Sequence, residues 1–353
     1  MAAASGAAAF LLESPAAAWS QPLSIPPNLR NGNLRAATMA HMSPLQQRNF
    51  AAAHTLAGSI GDAHVRSDIE GLLFMRAPMY PKKHRSEESR VALRDALARE
   101  GFVKADAPIS GIFPPGVDDP NGVQPFWSAP GSAMDSHHSY PGGLLAHELF
   151  NSRMAANFEQ TYDALYFHGA KALDRDLVIA AAFYHDVMKT AVFQYNEDGS
   201  LLPELEIAAT GGHHCLSGAE AIVRGHDARF VTVLLSAHAA PSLGDEAKVV
   251  NWCRASAMIA GVDPIEYGLL KKTSNGFVLA EPPPIEAFVN YLSDHDYVLT
   301  IHAVREVVPE LSKMNSSTWF RHEVLSHASA VALYRELTRG EDAFRRAVHA
   351  VFD

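Results

Sequence analysis

Residues 177–188, LVIAAAFYHDVM, constrain this chain more than any other stretch. The segment is apolar on every face until its last turn, and a helix apolar all round has to be wrapped by other elements. It then ends in His185 and Asp186. An ionised Asp186 buried without a partner would cost several kcal/mol, whereas a metal ion would satisfy it. The fold must therefore be large enough to surround this rod, and it must bring compensating groups to the rod's end.

The rest of the sequence supplies material for both. Hydrophobic residues make up 48% of the 353 and charged residues 19%, enough for a sizeable core in one large domain or two smaller ones. Helical spacing recurs at 43–62, 86–101, 142–165, 214–224, 227–240, 246–262, 285–308 and 317–340. Ser86 starts the second of these, with Glu87 and Glu88 at the positive end of its dipole, and Gly101 stops it. Asp198-Gly199 between alternating segments predicts a β-hairpin over 191–208. No strand series would build a parallel sheet and no repeat is visible, so the expected class is all-α with a small β-hairpin insertion. Residues 106–132 are rich in Pro and Gly and read as a long irregular connection.

The expected organisation has three parts. Residues 1–40 are a leader or Ala-rich tail, and 41–130 are an N-terminal helical and irregular region. That region packs on a domain over 131–353. The opening MAAASGAAAFLLESPAAAWSQ resembles the apolar and small-residue zones of an export signal but lacks the positive start. Two readings stand: a cytoplasmic protein with a disordered tail, or one exported through a twin-arginine-like leader that begins upstream of Met1. No apolar run reaches the ~20 residues of a membrane span. The net charge of −10 repels phosphate backbones, so no nucleic-acid partner is expected. The two cysteines, Cys215 and Cys253, lack any zinc spacing and are expected to be free core residues. Nothing in the sequence sets an oligomeric state.

Candidate metal ligands recur near the edges of successive apolar segments: His147, the His185-Asp186 pair, His213 and His214, His238, and Asp263. Imidazole and carboxylate together suit Fe, Mn, Ni or Zn. His137 and His138 precede a Pro-Gly-Gly turn that leads to His147, so they are expected to shape the entrance, and the Tyr140 hydroxyl is a further pocket candidate. Arg254 and Lys271 are generic phosphate candidates. His322 and His327, in RHEVLSH, are five apart and not the four that would place both on one helical face, so they read as ordinary residues.

In order and local context these elements resemble the HD superfamily of metal-dependent phosphohydrolases, with its H…HD…H…H…D pattern. HHSYPGGLLAH is similar to that family's H-x-Y-x-G-G-L-x-x-H element, YHDVMK to its H-D-I-G-K, and HCLSGAEAI to its H-x-x-x-G-A-E. The resemblance covers about residues 131–268. It implies an HD-type helical core and a ligand set of His147, His185, Asp186, His214, His238 and Asp263. It places Lys189 near the substrate phosphate, with Asp186 and Lys189 as the catalytic pair and His213 as an alternative ligand or supporting donor. The family's last Asp follows an alanine in mid-helix, where this chain has Ser256, so the counterpart is either Ser256, with a ligand lost, or Asp263 two turns later. A full set would hold two divalent ions, whose bound hydroxide would hydrolyse a small phosphorylated substrate, nucleotides included. The same ligands filled by iron resemble the diiron oxygenase branch that cleaves C–C or C–P bonds, and a chain that has lost its last ligand would be a non-catalytic ligand-binding protein.

Overall fold

The computed structural model describes residues 25–26, 29–74, 77–242 and 244–353. The expected leader over residues 1–21 lies outside these. Three helices open the described chain: α1 (Asn31–Met42), α2 (Pro44–Gly58) and α3 (Ala63–Leu73). The tail expected to run to residue 40 thus ends earlier, because Ala36, Ala37, Met39 and Ala40 of α1 are buried. Short polar caps set the helix starts: Ser43 accepts from Gln46 N, and Asp62 from Val65 N. α4 (Glu87–Arg99) is capped by Ser86 as the sequence indicates. A single helical turn, α5 (Ile109–Ile112), interrupts the irregular connection over 106–132.

The middle of the chain holds α6 (Gly143–Tyr166), α7 (Arg175–Tyr184), the one-turn α8 (Lys189–Val192), α9 (Gly212–Val223), α10 (Ala228–Leu235) and α11 (Glu246–Ala260). Every residue of α7 from Leu177 to Tyr184 is buried, as its all-round apolar character requires. α3, α6, α10 and α12 (Ile285–Ser293) pack around this rod. α1 to α4 contribute Ala37, Phe50, Ile69 and Leu97 to the same hydrophobic cluster. A second cluster is built by α13 (Tyr297–Met314), α14 (Thr318–Ala328), α15 (Ala330–Thr338) and α16 (Glu341–His349), and it includes Tyr140 from the loop before α6.

The class is mostly α, with small β elements. The turn at Asp198-Gly199 forms, but its pairing is one antiparallel bridge, Tyr195 to Leu201. Regular pairs lie elsewhere: β1 (Glu206–Ile207) with β2 (Thr210–Gly211), and β3 (Leu270–Thr273) with β4 (Gly276–Leu279). The stretch 285–308, which reads as one helix, is two. α12 stops at Ser293 and α13 begins at Tyr297, with Asp294, His295 and Asp296 between them. The stretch 317–340 is likewise broken, at Ser329, whose φ is +59°. Cys215 and Cys253 are free and buried. Among the described residues no helix is long and apolar enough to cross a membrane.

α9 and α11 pack closely because Gly218 faces Ser256, whose Oγ donates to Cys215 O at 3.0 Å. A Cβ at Gly218 would run into Ser256 Oγ and meet Leu235 Cδ2 at 3.1 Å. Gly218→Val is expected to lower unfolding stability by about 1–3 kcal/mol through overpacking, read as a shift of the urea midpoint at unchanged slope.

Candidate metal centre

The centre is assembled at the end of α7. α7 ends at Tyr184 and the chain continues in tighter turns, Val187 N to Tyr184 O and Lys189 N to Asp186 O, and there His185 and Asp186 face a common space. His185 Nδ1 sits 2.7 Å from Ala182 O and 3.2 Å from Glu148 Oε2, which leaves its Nε2 facing inward. His147 comes from the second turn of α6. The loop ahead of α6 can approach only because residue 143 is glycine: a Cβ there would collide with His138 O.

Two groups of donor atoms form around Asp186. On one side, His147 Nε2 and His185 Nε2 lie 3.3 and 3.5 Å from Asp186 Oδ2. Asp294 Oδ1 completes this group at 3.2 Å from His147 Nε2 and 3.6 Å from His185 Nε2. On the other side, the Nε2 atoms of His213, His214 and His238 lie 3.0, 3.9 and 3.9 Å from Asp186 Oδ1. Asp294 Oδ2 reaches this group too, at 3.2 Å from His238 Nε2. Each carboxylate therefore offers one oxygen to each group.

The donor set fits divalent ions. Ligands roughly 2.0–2.2 Å from an ion, at tetrahedral or octahedral angles, stand roughly 3–3.5 Å apart, which is the spacing of the first group. Burial points the same way. His185 Nε2, both Asp186 oxygens, His213 Nε2 and His214 Nε2 are buried with no hydrogen-bond partner, a costly arrangement unless something charged binds among them. The ion-pair distances around Asp186 are short, yet they miss hydrogen-bond geometry. We therefore read these atoms as donors aimed at a shared point and not as a satisfied network.

Supporting contacts fix the rings. Glu204 Oε1 is 2.5 Å from His213 Nδ1, and Thr210 Oγ1 is 2.5 Å from His214 Nδ1. β1 and β2 frame these partners. Asn151 Nδ2 donates to Asp294 Oδ1 at 3.0 Å. Such contacts set which ring nitrogen is free to bind. Burial pushes the Asp186 carboxyl upward, but Lys189 and the His185 and His213 rings outweigh it and hold it well below the usual range. Burial pushes His238 down to about 3 and His214 well below its ordinary value, so both rings are neutral, the form that binds metal. For His147, burial is opposed by Asp186 and Asp294, which raise its pKa to about 9.

The structure brings together His147, His185, Asp186, His213, His214, His238 and Lys189. Lys189 Nζ contacts Asp186 and donates to Gly131 O at 2.6 Å. His137 and His138 lie over His147, with ring centroids 5.0 and 5.3 Å away, and His138 Nε2 is 3.3 Å from Asp296 Oδ2. Asp263 is not brought in. It is exposed, and its carboxylate caps a turn by accepting from Ile265 N and Glu266 N. Ser256 is equally remote from the ligand role, since it bonds α11 to α9. Asp294 stands where the last acidic donor was expected. Tyr140 does not line the pocket: it is 2% exposed and packs in the second hydrophobic cluster. Arg254 pairs with Glu100 between the rings of Phe102 and Phe277, and Lys271 donates to Ala280 O. His322 Nε2 meets Gly199 O while His327 Nδ1 meets Glu323 O.

No family model matches the chain, and no solved structure does. Over 69 residues it is 33% identical to the dihydroneopterin 2′,3′-cyclic phosphate phosphodiesterase of Methanocaldococcus jannaschii. That stretch is 20% of this chain and spans 26% of the relative, about a quarter of its length. A stretch similar to a phosphodiesterase, together with a buried His/Asp cluster able to hold metal, fits a metal-dependent phosphohydrolase.

Two measurements test the centre. Asp294→Ala is expected to lower bound metal per chain by elemental analysis, whereas Asp263→Ala leaves it unchanged. The second concerns pH. His147 carries a proton below about pH 9 in the metal-free protein, and an ion must displace it. Apparent affinity should therefore rise by roughly tenfold per pH unit for each proton displaced, and level off above the His147 pKa. Chelator competition between about pH 6.5 and about pH 8.5 reads this slope.

Proposed function

We propose that this chain is a metal-dependent phosphohydrolase of the HD type that cleaves a phosphoester in a small molecule, using two divalent ions drawn from Fe, Mn, Ni or Zn. The observation that carries the reading is the pair of carboxylates, Asp186 and Asp294, each shared between two groups of imidazoles, of which His185, His213 and His214 have a buried Nε2 with no hydrogen-bond partner. Shared carboxylates are what a close metal pair requires. His147, His185, Asp186 and Asp294 would hold one ion; His214 and His238, with Asp186 and His213 beside them, would hold the other. Ions bound there supply Lewis-acid polarisation of a phosphoryl oxygen and an activated water.

The protein's own groups do the rest. Lys189 is 3% exposed and its ammonium group lies beside Asp186, where it offsets charge developing on the phosphoryl oxygens. Gly131 O and the Asp186 carboxylate fix its ammonium group before substrate arrives. His238 is 27% exposed and marks the side open to solvent. His137 and His138 cover His147, and burial holds both rings neutral, so they add no charge to repel a cation. The similarity to a phosphodiesterase over a fifth of the chain favours ester hydrolysis over oxygen chemistry.

The test is metal-loaded protein assayed on phosphomonoesters and phosphodiesters, with oxygen uptake followed in parallel. Hydrolysis that a chelator abolishes and added metal restores is expected. Lys189→Ala should keep its metal and lose about 100-fold in kcat. Folded, metal-replete protein that hydrolyses no ester, or that consumes oxygen instead, would overturn the reading.

A further inference from the structure

A row of rings leads from the surface to the metal donors. Tyr291 and His295 are 4.8 Å apart between centroids, His295 and Tyr297 5.8 Å, Tyr297 and His137 6.1 Å, and His137 and the donor His147 5.0 Å. The break between α12 and α13 creates the row: the turn that places Asp294 inward carries His295 and Tyr297 outward. Tyr297 is 41% exposed, and the next two residues, Val298 and Leu299, are 60% and 48% exposed. Apolar and aromatic surface left in water three residues from a buried donor is unfavourable in the free protein, and it is covered when an apolar group binds there.

We propose that Tyr297, with His295 behind it and His137 between it and the donors, is a stacking ledge for a flat ring carried by the phosphoester substrate. The inference rests on the phosphohydrolase reading above and names the substrate class: an ester with a planar aromatic or heteroaromatic group close to its phosphate. A ring suits this ledge better than an alkyl chain. The ledge's members already sit edge-on or tilted at ring-to-ring spacings, and such pairs gain beyond their buried area. Each also presents a polar edge, the Tyr297 hydroxyl and the His295 imidazole, to heteroatoms at the ring's rim. His137 connects the ledge to the metal donors, so a ring on Tyr297 lies one imidazole away from a phosphate held beside His147.

The probes are adenosine 5′-monophosphate and ribose 5-phosphate, which differ by a flat base, with inorganic phosphate as reference. All are titrated calorimetrically into the metal-loaded full chain. Stacking predicts that the ring-bearing probe binds about 5- to 100-fold more tightly than ribose 5-phosphate. Tyr297→Ala should bring that ratio to about one, and Tyr297→Phe should preserve it. Equal affinities for the two probes in the unaltered protein, with inorganic phosphate still bound, would overturn the ledge and leave the phosphohydrolase reading standing. So would a ratio that survives Tyr297→Ala in folded, metal-bearing protein. Failure of all three phosphates to bind would overturn both.

Discussion

The fold is organised around one buried negative charge. Asp186 is fully enclosed at the end of a helix buried from Leu177 to Tyr184, where an unpaired carboxylate is hardly tolerable. Lys189 answers it directly, and five imidazoles from α6, α7, α9 and the turn after α10 converge on it. A second carboxylate, Asp294, joins them, although on its own it would add to the cost. Two acids among imidazoles, of which burial holds His214 and His238 neutral, make sense as a receptacle for cations, and the low exposure of the site makes the attraction strong. The surrounding helices are the means of holding these groups at a common point.

Packing on both sides keeps the loop ahead of α6 in place. Ser43 and Gln46 of the N-terminal layer both donate to Ser326 O, and Ser326 Oγ donates to Pro141 O. Tyr140 anchors the same loop in the C-terminal cluster. The loop that brings His137 and His138 over His147 is thus fixed by residues from opposite ends of the sequence. Tyr140 matters to the site as a rivet, which its chemistry alone does not reveal.

Much of this was legible in the sequence. The all-apolar stretch before His185 marked the central helix, and capping residues such as Ser43 and Ser86 marked helix starts. Histidines near the edges of apolar segments marked His147, His214 and His238, because burying such groups needs a purpose. Asp294 was missed for a physical reason. Residues 285–308 keep helical spacing throughout, and only tertiary packing breaks them at 294–296. Asp263 looked better placed because it follows an apolar helix, but that position is a solvent-facing turn. The pairing of Leu270–Thr273 with Gly276–Leu279 did carry a local signal, Asn275-Gly276 between alternating residues, of the kind that marks a tight hairpin. The short pairing at 206–211 carried none.

The break at 294–296 also sets a clock. Six histidines and acids of the cluster precede it in the chain, and the seventh acidic or imidazole donor is Asp294, more than fifty residues beyond His238. During synthesis the earlier donors leave the ribosome first and must wait, unmatched, for their last partner. The group that Asp294 completes therefore cannot be whole until the chain past residue 294 has been made, while His213, His214 and His238, which meet Asp186, already stand in the sequence before it.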